Sequence, residues 1–109
     1  MAPGHEVILT PTAKKSIEDI LRYVRSVSDI DAAIKVNNLI LEGLDRIGQM
    51  PTFRRVNLVW NGKELRRYEA KKRYFILYEI QEPEERVGVF LVGHIKMSKA
   101  AILSLLEEE

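Results

Sequence analysis

Val56-Asn57-Leu58-Val59-Trp60-Asn61-Gly62-Lys63-Glu64-Leu65 is where the chain changes its pattern. Upstream, apolar residues recur at helical spacing. Here Val56, Leu58 and Trp60 fall at every second position, the period of a strand. Asn61-Gly62 follows. The tight turn that matches strand twist needs positive φ at both central residues, and Asn-Gly supplies it. Lys63 to Ala70 is therefore predicted as a return strand. Arg73 to Ile80 and Val87 to Ile95 are two more, linked by Gln81 to Arg86 with Pro83. Links this short make an antiparallel meander.

Upstream, Val7-Ile8-Leu9 reads as a strand over Glu6 to Thr10. Thr10-Pro11 is a helix start, with Thr10 as N-cap and Pro11 in the first turn. Ala13, Ile17, Ile20, Leu21 and Val24 form one stripe, ending near Val27. Ser28-Asp29-Ile30-Asp31 starts a second helix in the manner of a capping box, with Asp in the final place. Its stripe is Ala33, Val36, Ile40, Leu44 and Ile47, widened by Leu39 and Leu41. Gly43 lies within that stripe, where it costs about 1 kcal/mol against Ala, so close packing is expected there. Gly48 and Pro51 stop the helix. A joint this short gives an antiparallel helical hairpin. Downstream, Ser98 starts a last helix carrying Ile102, Leu103, Leu105 and Leu106, and the Glu107-Glu108-Glu109 tail is expected to fray.

The order is strand, helix, helix, four strands, helix. Runs of helix followed by runs of strand predict an α+β fold. The N-terminal strand and helical hairpin pack on the meander sheet, and the C-terminal helix follows. One domain spans residues 1–109, with its core at about 6–96 and the last helix at about 98–107.

Both faces of the sheet read as apolar. Tyr74, Ile76, Tyr78 and Ile80 alternate with Phe75 and Leu77; Val87, Val89 and Leu91 alternate with Phe90 and Val92. A sheet with one wet face shows polar residues on every second position. Here the second face must be covered, by the C-terminal helix or by a partner.

The 109 residues suit one domain, and 46% hydrophobic content argues against disorder. With no Cys there is no disulfide, thiol nucleophile or thiolate metal site. The uncharged stretch Val87 to Ile95 is too short to cross a bilayer, and Met1 to Glu6 lacks the apolar core of a signal peptide. A cytoplasmic protein without a membrane role is expected.

The net charge of +1 conceals an asymmetry. Residues 1–53 carry −1 and residues 74–109 carry −4. Residues 54–73 hold eight cations, Arg54, Arg55, Lys63, Arg66, Arg67, Lys71, Lys72 and Arg73, against Glu64 and Glu69. Trp60, Tyr68 and Tyr74 stand among and beside them. Arginine with aromatics on a sheet suits contact with nucleic acid or with a charged protein target. Charge that merely keeps strand edges soluble is the plainer explanation.

Chemistry-bearing groups are few. His94 closes the last strand, and an imidazole can move protons near neutral pH. On the side of Phe90 and Val92 it reads more simply as a half-buried, satisfied histidine. His5 receives no role. No metal-ligand spacing, glycine-rich phosphate loop or Ser-His-Asp context is present. No cofactor is expected. Arg66 and Arg67 are adjacent on a strand, so they point to opposite faces and only one can serve a given site.

Taken together, the motifs resemble the RelE/ParE toxin superfamily. Val7-Ile8-Leu9-Thr10-Pro11-Thr12-Ala13, then Ile17-Glu18-Asp19-Ile20-Leu21-Arg22-Tyr23-Val24, is similar to the family's opening strand and helix. Leu65-Arg66-Arg67 resembles its Leu-Arg strand, Arg73-Tyr74-Phe75-Ile76-Leu77-Tyr78-Glu79-Ile80 its Tyr-x-Ile-x-Tyr strand, and Val87 to His94 its last strand. The resemblance covers residues 6–96 and implies the toxin of a type II toxin–antitoxin module, neutralised by a cognate antitoxin. RelE-like members cleave ribosome-bound mRNA; ParE-like members act on DNA gyrase. The ParE-like branch is favoured. Arg67 precedes Tyr78 by 11 residues, Phe75 stands where many RelE-like chains have Arg, and the last helix has no His, Tyr or Arg. Ile95-Lys96-Met97 departs from the Arg-rich tail frequent in ParE.

For a nuclease, Arg67, His94 and Lys63 would be catalytic. Arg54, Arg55, Arg66, Arg67, Lys71, Lys72 and Arg73 would meet the target or nucleic acid. Phe75, Leu77 and Phe90 would meet the antitoxin, with the C-terminal helix as a lid in its absence. The implied assemblies are a homodimer or a toxin–antitoxin heterotetramer. A decayed toxin retaining only binding is a further alternative.

Overall fold

The computed structural model describes residues 4–108. The expectations made for Met1 to Pro3 and for Glu109 lie outside the described residues. The elements are β1 (Glu6–Leu9), α1 (Pro11–Val27), α2 (Ile30–Gln49), β2 (Val56–Trp60), β3 (Lys63–Ala70), β4 (Tyr74–Gln81), β5 (Arg86–His94) and α3 (Lys99–Leu106). A single 3-10 turn, Pro51–Phe53, follows α2.

The five strands form one sheet in the order β1-β5-β4-β3-β2. β2 to β5 are the expected antiparallel meander. β1 lies parallel to β5, pairing Glu6 with Arg86 through Leu9 with Val89, so the sheet is mixed. A parallel neighbour needs a long crossover, and α1 through β4 provide it.

Local chemistry sets the helix ends. Thr10 Oγ1 accepts from the Ala13 N–H at 3.1 Å, with Pro11 directly after it. For α2 the cap is Asp29, whose Oδ1 accepts from the Ala32 N–H at 2.8 Å. The start is thus one residue later than a cap at Ser28 implies, because Ser28 still closes α1 by donating its N–H to the Val24 carbonyl. Ser98 Oγ caps α3 on the Ala101 N–H.

The two helices of the hairpin cover one face of the sheet. Ala13, Ile40 and Ile47 bury against Ile76, Tyr78, Val87, Val89 and Val92. A Cβ on Gly43 would stand 2.8 Å from Ile76 Cδ1 and 3.1 Å from Tyr68 Cε1, so the sheet approaches α2 closely where the glycine allows it. Leu39 is half-buried, whereas Leu41 is exposed and does not widen the buried stripe.

The second face is covered by α3. Ile102 and Leu106 bury against Leu65, Phe75, Leu77, Phe90 and Leu91. Each such side chain taken from water contributes about 1.5–3 kcal/mol, which is why a short helix docks here.

Two bulges break the alternation. In β5, Leu91 pairs with Leu77 but Val89 pairs with Tyr78, leaving Phe90 extra. Phe90 and Leu91 therefore both join the α3 side, and Val92 joins Val87 and Val89 on the hairpin side. This corrects the regular grouping of Val87, Val89 and Leu91 against Phe90 and Val92: an inserted residue shifts the phase by one. In β2, Val56 pairs with Arg66 and Leu58 with Leu65, so Asn57 is extra and Val56 leaves the phase of Leu58 and Trp60.

Candidate target-binding surface

Of the cations of residues 54–73, Arg54, Arg55, Arg67, Lys71, Lys72 and Arg73 lie along the β2 edge and the turn between β3 and β4, while Lys63 stands at the opposite end of β3. That turn is Lys71-Lys72, both in the left-handed region with φ of 53° and 55°. The Arg73 N–H donates to the Ala70 carbonyl at 3.0 Å across it. Two positive φ values place it in the same turn class as Asn61-Gly62, whose φ values are 50° and 74°. The second turn uses the residues that tolerate this backbone; the first does not.

Arg66 and Arg67 part as strand alternation requires. Arg66, paired with Tyr78, lies on the hairpin side and donates from Nη1 to the Arg54 carbonyl. Arg67, paired with Leu77, lies on the α3 side, with its guanidinium 4.4 Å over the Phe75 ring and its Nε 3.1 Å from Glu69 Oε2. Arg54 stacks between aromatic faces, 4.4 Å from the Phe53 centroid and 5.3 Å from that of Tyr68. Arg54, Arg55, Asn57, Arg67, Glu69 and Lys72 line an open hollow of about 570 Å³. Arg55, Lys71, Lys72 and Arg73 are exposed, and among the described residues none has an ion-pair partner.

Tyr78 anchors the turn before β2. Its hydroxyl donates to the Pro51 carbonyl at 2.7 Å, fixing the turn that carries Phe53 and Arg54. Burial raises the phenol above its ordinary value, with Arg66 and Arg54 pulling the other way.

The nuclease candidates are not brought together. Lys63 and Arg67 share the α3 side, Lys63 Nζ lying 5.1 Å over the Phe90 ring. His94 pairs with Tyr74 and shares its face, on the hairpin side, two strands from Arg67. Their rings meet edge to face, with 5.7 Å between centroids. His94 is exposed, which corrects the expectation of a half-buried histidine; its Nδ1 accepts from the Lys96 N–H at 3.1 Å. Because β1 stops at Leu9, the end of β5 has no strand on its outer side, and His94 stands at that rim.

That open end lies in a second hollow, of about 530 Å³, between α1 and the α3 segment. Asp19, Tyr23, Tyr74, His94 and Met97 line it. Ser16 closes part of the open strand edge, its Oγ accepting from the Val92 N–H at 3.1 Å. Sequence reasoning gave Ser16 and Asp19 no role in a site. Helical spacing alone does not tell which polar residue of α1 meets a strand end. Phe75, Leu77 and Phe90 are at most 4% exposed, beneath α3.

Against known proteins, a family model described as the ParE toxin of the type II toxin–antitoxin system parDE matches residues 7–98. The chain belongs to the ParE toxin family. A ParE-family chain is a toxin with a cognate antitoxin, as the motifs of β1, α1, β3 and β4 implied. The match ends at Ser98, before α3. A search of curated proteins returned no match. No helix among the described residues is long and apolar enough to cross a membrane, and no cluster of His, Asp and Glu among them could hold a metal.

Proposed function

We propose that this ParE-family toxin arrests growth in the cytoplasm by binding and poisoning DNA gyrase, without catalysing a reaction of its own. The observation that carries this is the separation of His94 from Arg67 and Lys63 by a sheet face and two strands. General acid–base catalysis needs the proton-moving group within hydrogen-bond reach of the reacting atoms. A single phosphate held by Arg67 is out of reach of His94. Purified toxin should inhibit gyrase supercoiling. Full supercoiling at a large molar excess of toxin would remove this reading.

A second reading, RelE-like cleavage of ribosome-bound mRNA, is favoured only by Arg67 and Lys63 sharing one face. Primer extension on translated message separates the two. New ends that vanish in Arg67→Ala support cleavage, and their absence supports the gyrase reading.

The antitoxin's place follows from α3. Phe75, Leu77 and Phe90 meet an antitoxin segment only when α3 lifts, so α3 serves as an exchangeable lid. Hydrogen exchange of α3 amides should change when antitoxin is added; unchanged exchange would assign the antitoxin to another surface. The assembly proposed is a homodimer or a toxin–antitoxin heterotetramer.

A further inference from the structure

We propose that the β2 edge and the β3–β4 turn form a docking surface for the phosphate backbone of double-stranded DNA, contacted by Arg54, Arg55, Arg67, Lys71 and Lys72. It does not depend on the gyrase reading, since DNA is bound by the toxin itself.

Three observations carry it. The first is charge. Arg54, Arg55, Arg67 and Lys72 line one open hollow against a single carboxylate, Glu69, which already engages Arg67. An acidic tail follows α3, yet Glu108 lies in the other hollow, between α1 and α3, and neutralises none of these cations. The local positive field is therefore available to an outside anion.

The second is backbone conformation. Lys71 and Lys72 both hold left-handed φ, in a turn class that the same chain builds from Asn61-Gly62 at the other end of β3. Side chains beyond Asn and Gly are disfavoured there. The fold alone is better served by Asn-Gly at both turns. Two lysines at strained positions, followed by Arg73, mark charge retained for contact rather than for folding.

The third is the lack of a stacking platform. Single strands are held largely by bases stacking on exposed aromatic rings. Tyr74 is buried and Trp60 and Tyr68 are half-buried; Trp60 packs edge-on to Phe90, and Tyr68 lies beneath Arg54. Exposed Phe53 has a face occupied by the same Arg54 guanidinium. Stacked guanidinium groups keep their N–H edges for phosphate oxygens. Phe53 and Tyr68 thus hold Arg54, and a single ring face, the second one of Phe53, is left open to a base, too little for a run of stacked bases. A surface of this kind reads the regular line of charge on a duplex, with little dependence on sequence.

Fluorescence anisotropy with a labelled duplex of about 20 base pairs tests this, at salt from about 50 to 200 mM. Wild-type toxin should bind at low salt, with log K falling by about 0.9 per phosphate neutralised as log salt rises. Lys71→Asn/Lys72→Gly should weaken low-salt binding by about tenfold or more and reduce the slope by about 2. Its thermal midpoint should be equal or higher, because the turn is relieved. Lys14→Gln/Lys35→Gln removes as much charge from the helical hairpin and should leave affinity unchanged. The proposal is overturned by no duplex binding at low salt, or by unchanged affinity in the turn variant. A lowered thermal midpoint accompanying weaker binding would also overturn it, giving the lysines a structural role. Equal or tighter binding of the single strand, or of a polyglutamate of matched charge, would overturn it in favour of another class of partner.

Discussion

Tyr74 and His94 face each other across β4 and β5, rings edge to face at 5.7 Å, on the side of the sheet that Arg67 does not reach. That pairing places the one imidazole of the sheet at the rim of the α1 hollow. If gyrase poisoning needs no proton transfer, His94→Gln should leave supercoiling inhibition within about twofold, the range of ordinary surface changes. A loss of a hundredfold or more would put His94 in the working site.

Tyr78 ties the end of α2 to the sheet. Tyr78→Phe removes the hydroxyl that donates to Pro51 and strands a buried carbonyl, so stability should fall by about 1–3 kcal/mol in chemical denaturation. The same variant has a pH consequence. The folded phenol titrates above its unfolded value of 10.0 because of burial. The folded state then holds its proton where the unfolded state has begun to lose it. Stability from this group is complete below pH 10 and declines as pH rises from 10 through the folded value. Tyr78→Phe should flatten that decline relative to wild type; identical slopes in both would contradict it.

Gly43→Ala sets two effects against each other. Helix propensity favours Ala by about 1 kcal/mol. The new methyl meets Ile76 Cδ1 at 2.8 Å and Tyr68 Cε1 at 3.1 Å, and Ile76 is fully buried. Overpacking of this kind costs about 1–3 kcal/mol, so the net result should be destabilising by up to about 2 kcal/mol. A thermal midpoint above wild type would show that the α2–sheet contact yields more easily than this.

Leu106→Ala should loosen α3 before anything else. Leu106 is fully buried, and such a truncation costs about 2–5 kcal/mol where the structure stays shut. Here α3 can undock instead, being joined to β5 only through residues 95–98. Hydrogen exchange of α3 amides should accelerate while β4 and β5 stay protected. Trp60 emission should shift to the red as its contact with Phe90 is wetted. Uniform loss of protection across the sheet would show that α3 and the sheet unfold as one unit.

Much of this architecture is legible in the chain because local signals agree with one another. Thr10-Pro11 caps α1, Asn61-Gly62 turns β2 into β3, and both faces of β4 announce two covering layers. The parallel docking of β1 beside β5 is not legible, since pairing between distant segments leaves no local mark. The bulges at Asn57 and Phe90 are hidden for a related reason: alternation read forward cannot tell an inserted residue from a paired one. Gly88 and Gly93 on either side of Phe90 were the available hint, as glycine inside a strand accompanies bulges and close approaches. Of the candidate site, the charge block was readable from composition. The exposure of its aromatic neighbours was not, because it depends on which face α3 and the hairpin cover. Arg66 and Arg67 separated as strand geometry requires.

Phe90 carries a consequence for how this strand tolerates insertion and deletion. Removing that one residue would restore an unbroken ladder between β4 and β5 and turn no other side chain over: Val89 and Val92 keep the helical hairpin, and Leu91 keeps α3. The chain would lose the ring that Trp60 and Lys63 rest on and the carbonyl that accepts from the Thr10 hydroxyl. A one-codon deletion at Phe90 is therefore a milder lesion for the sheet than at Val89 or Val92, and its effect falls on the seat of α3 and on the start of α1.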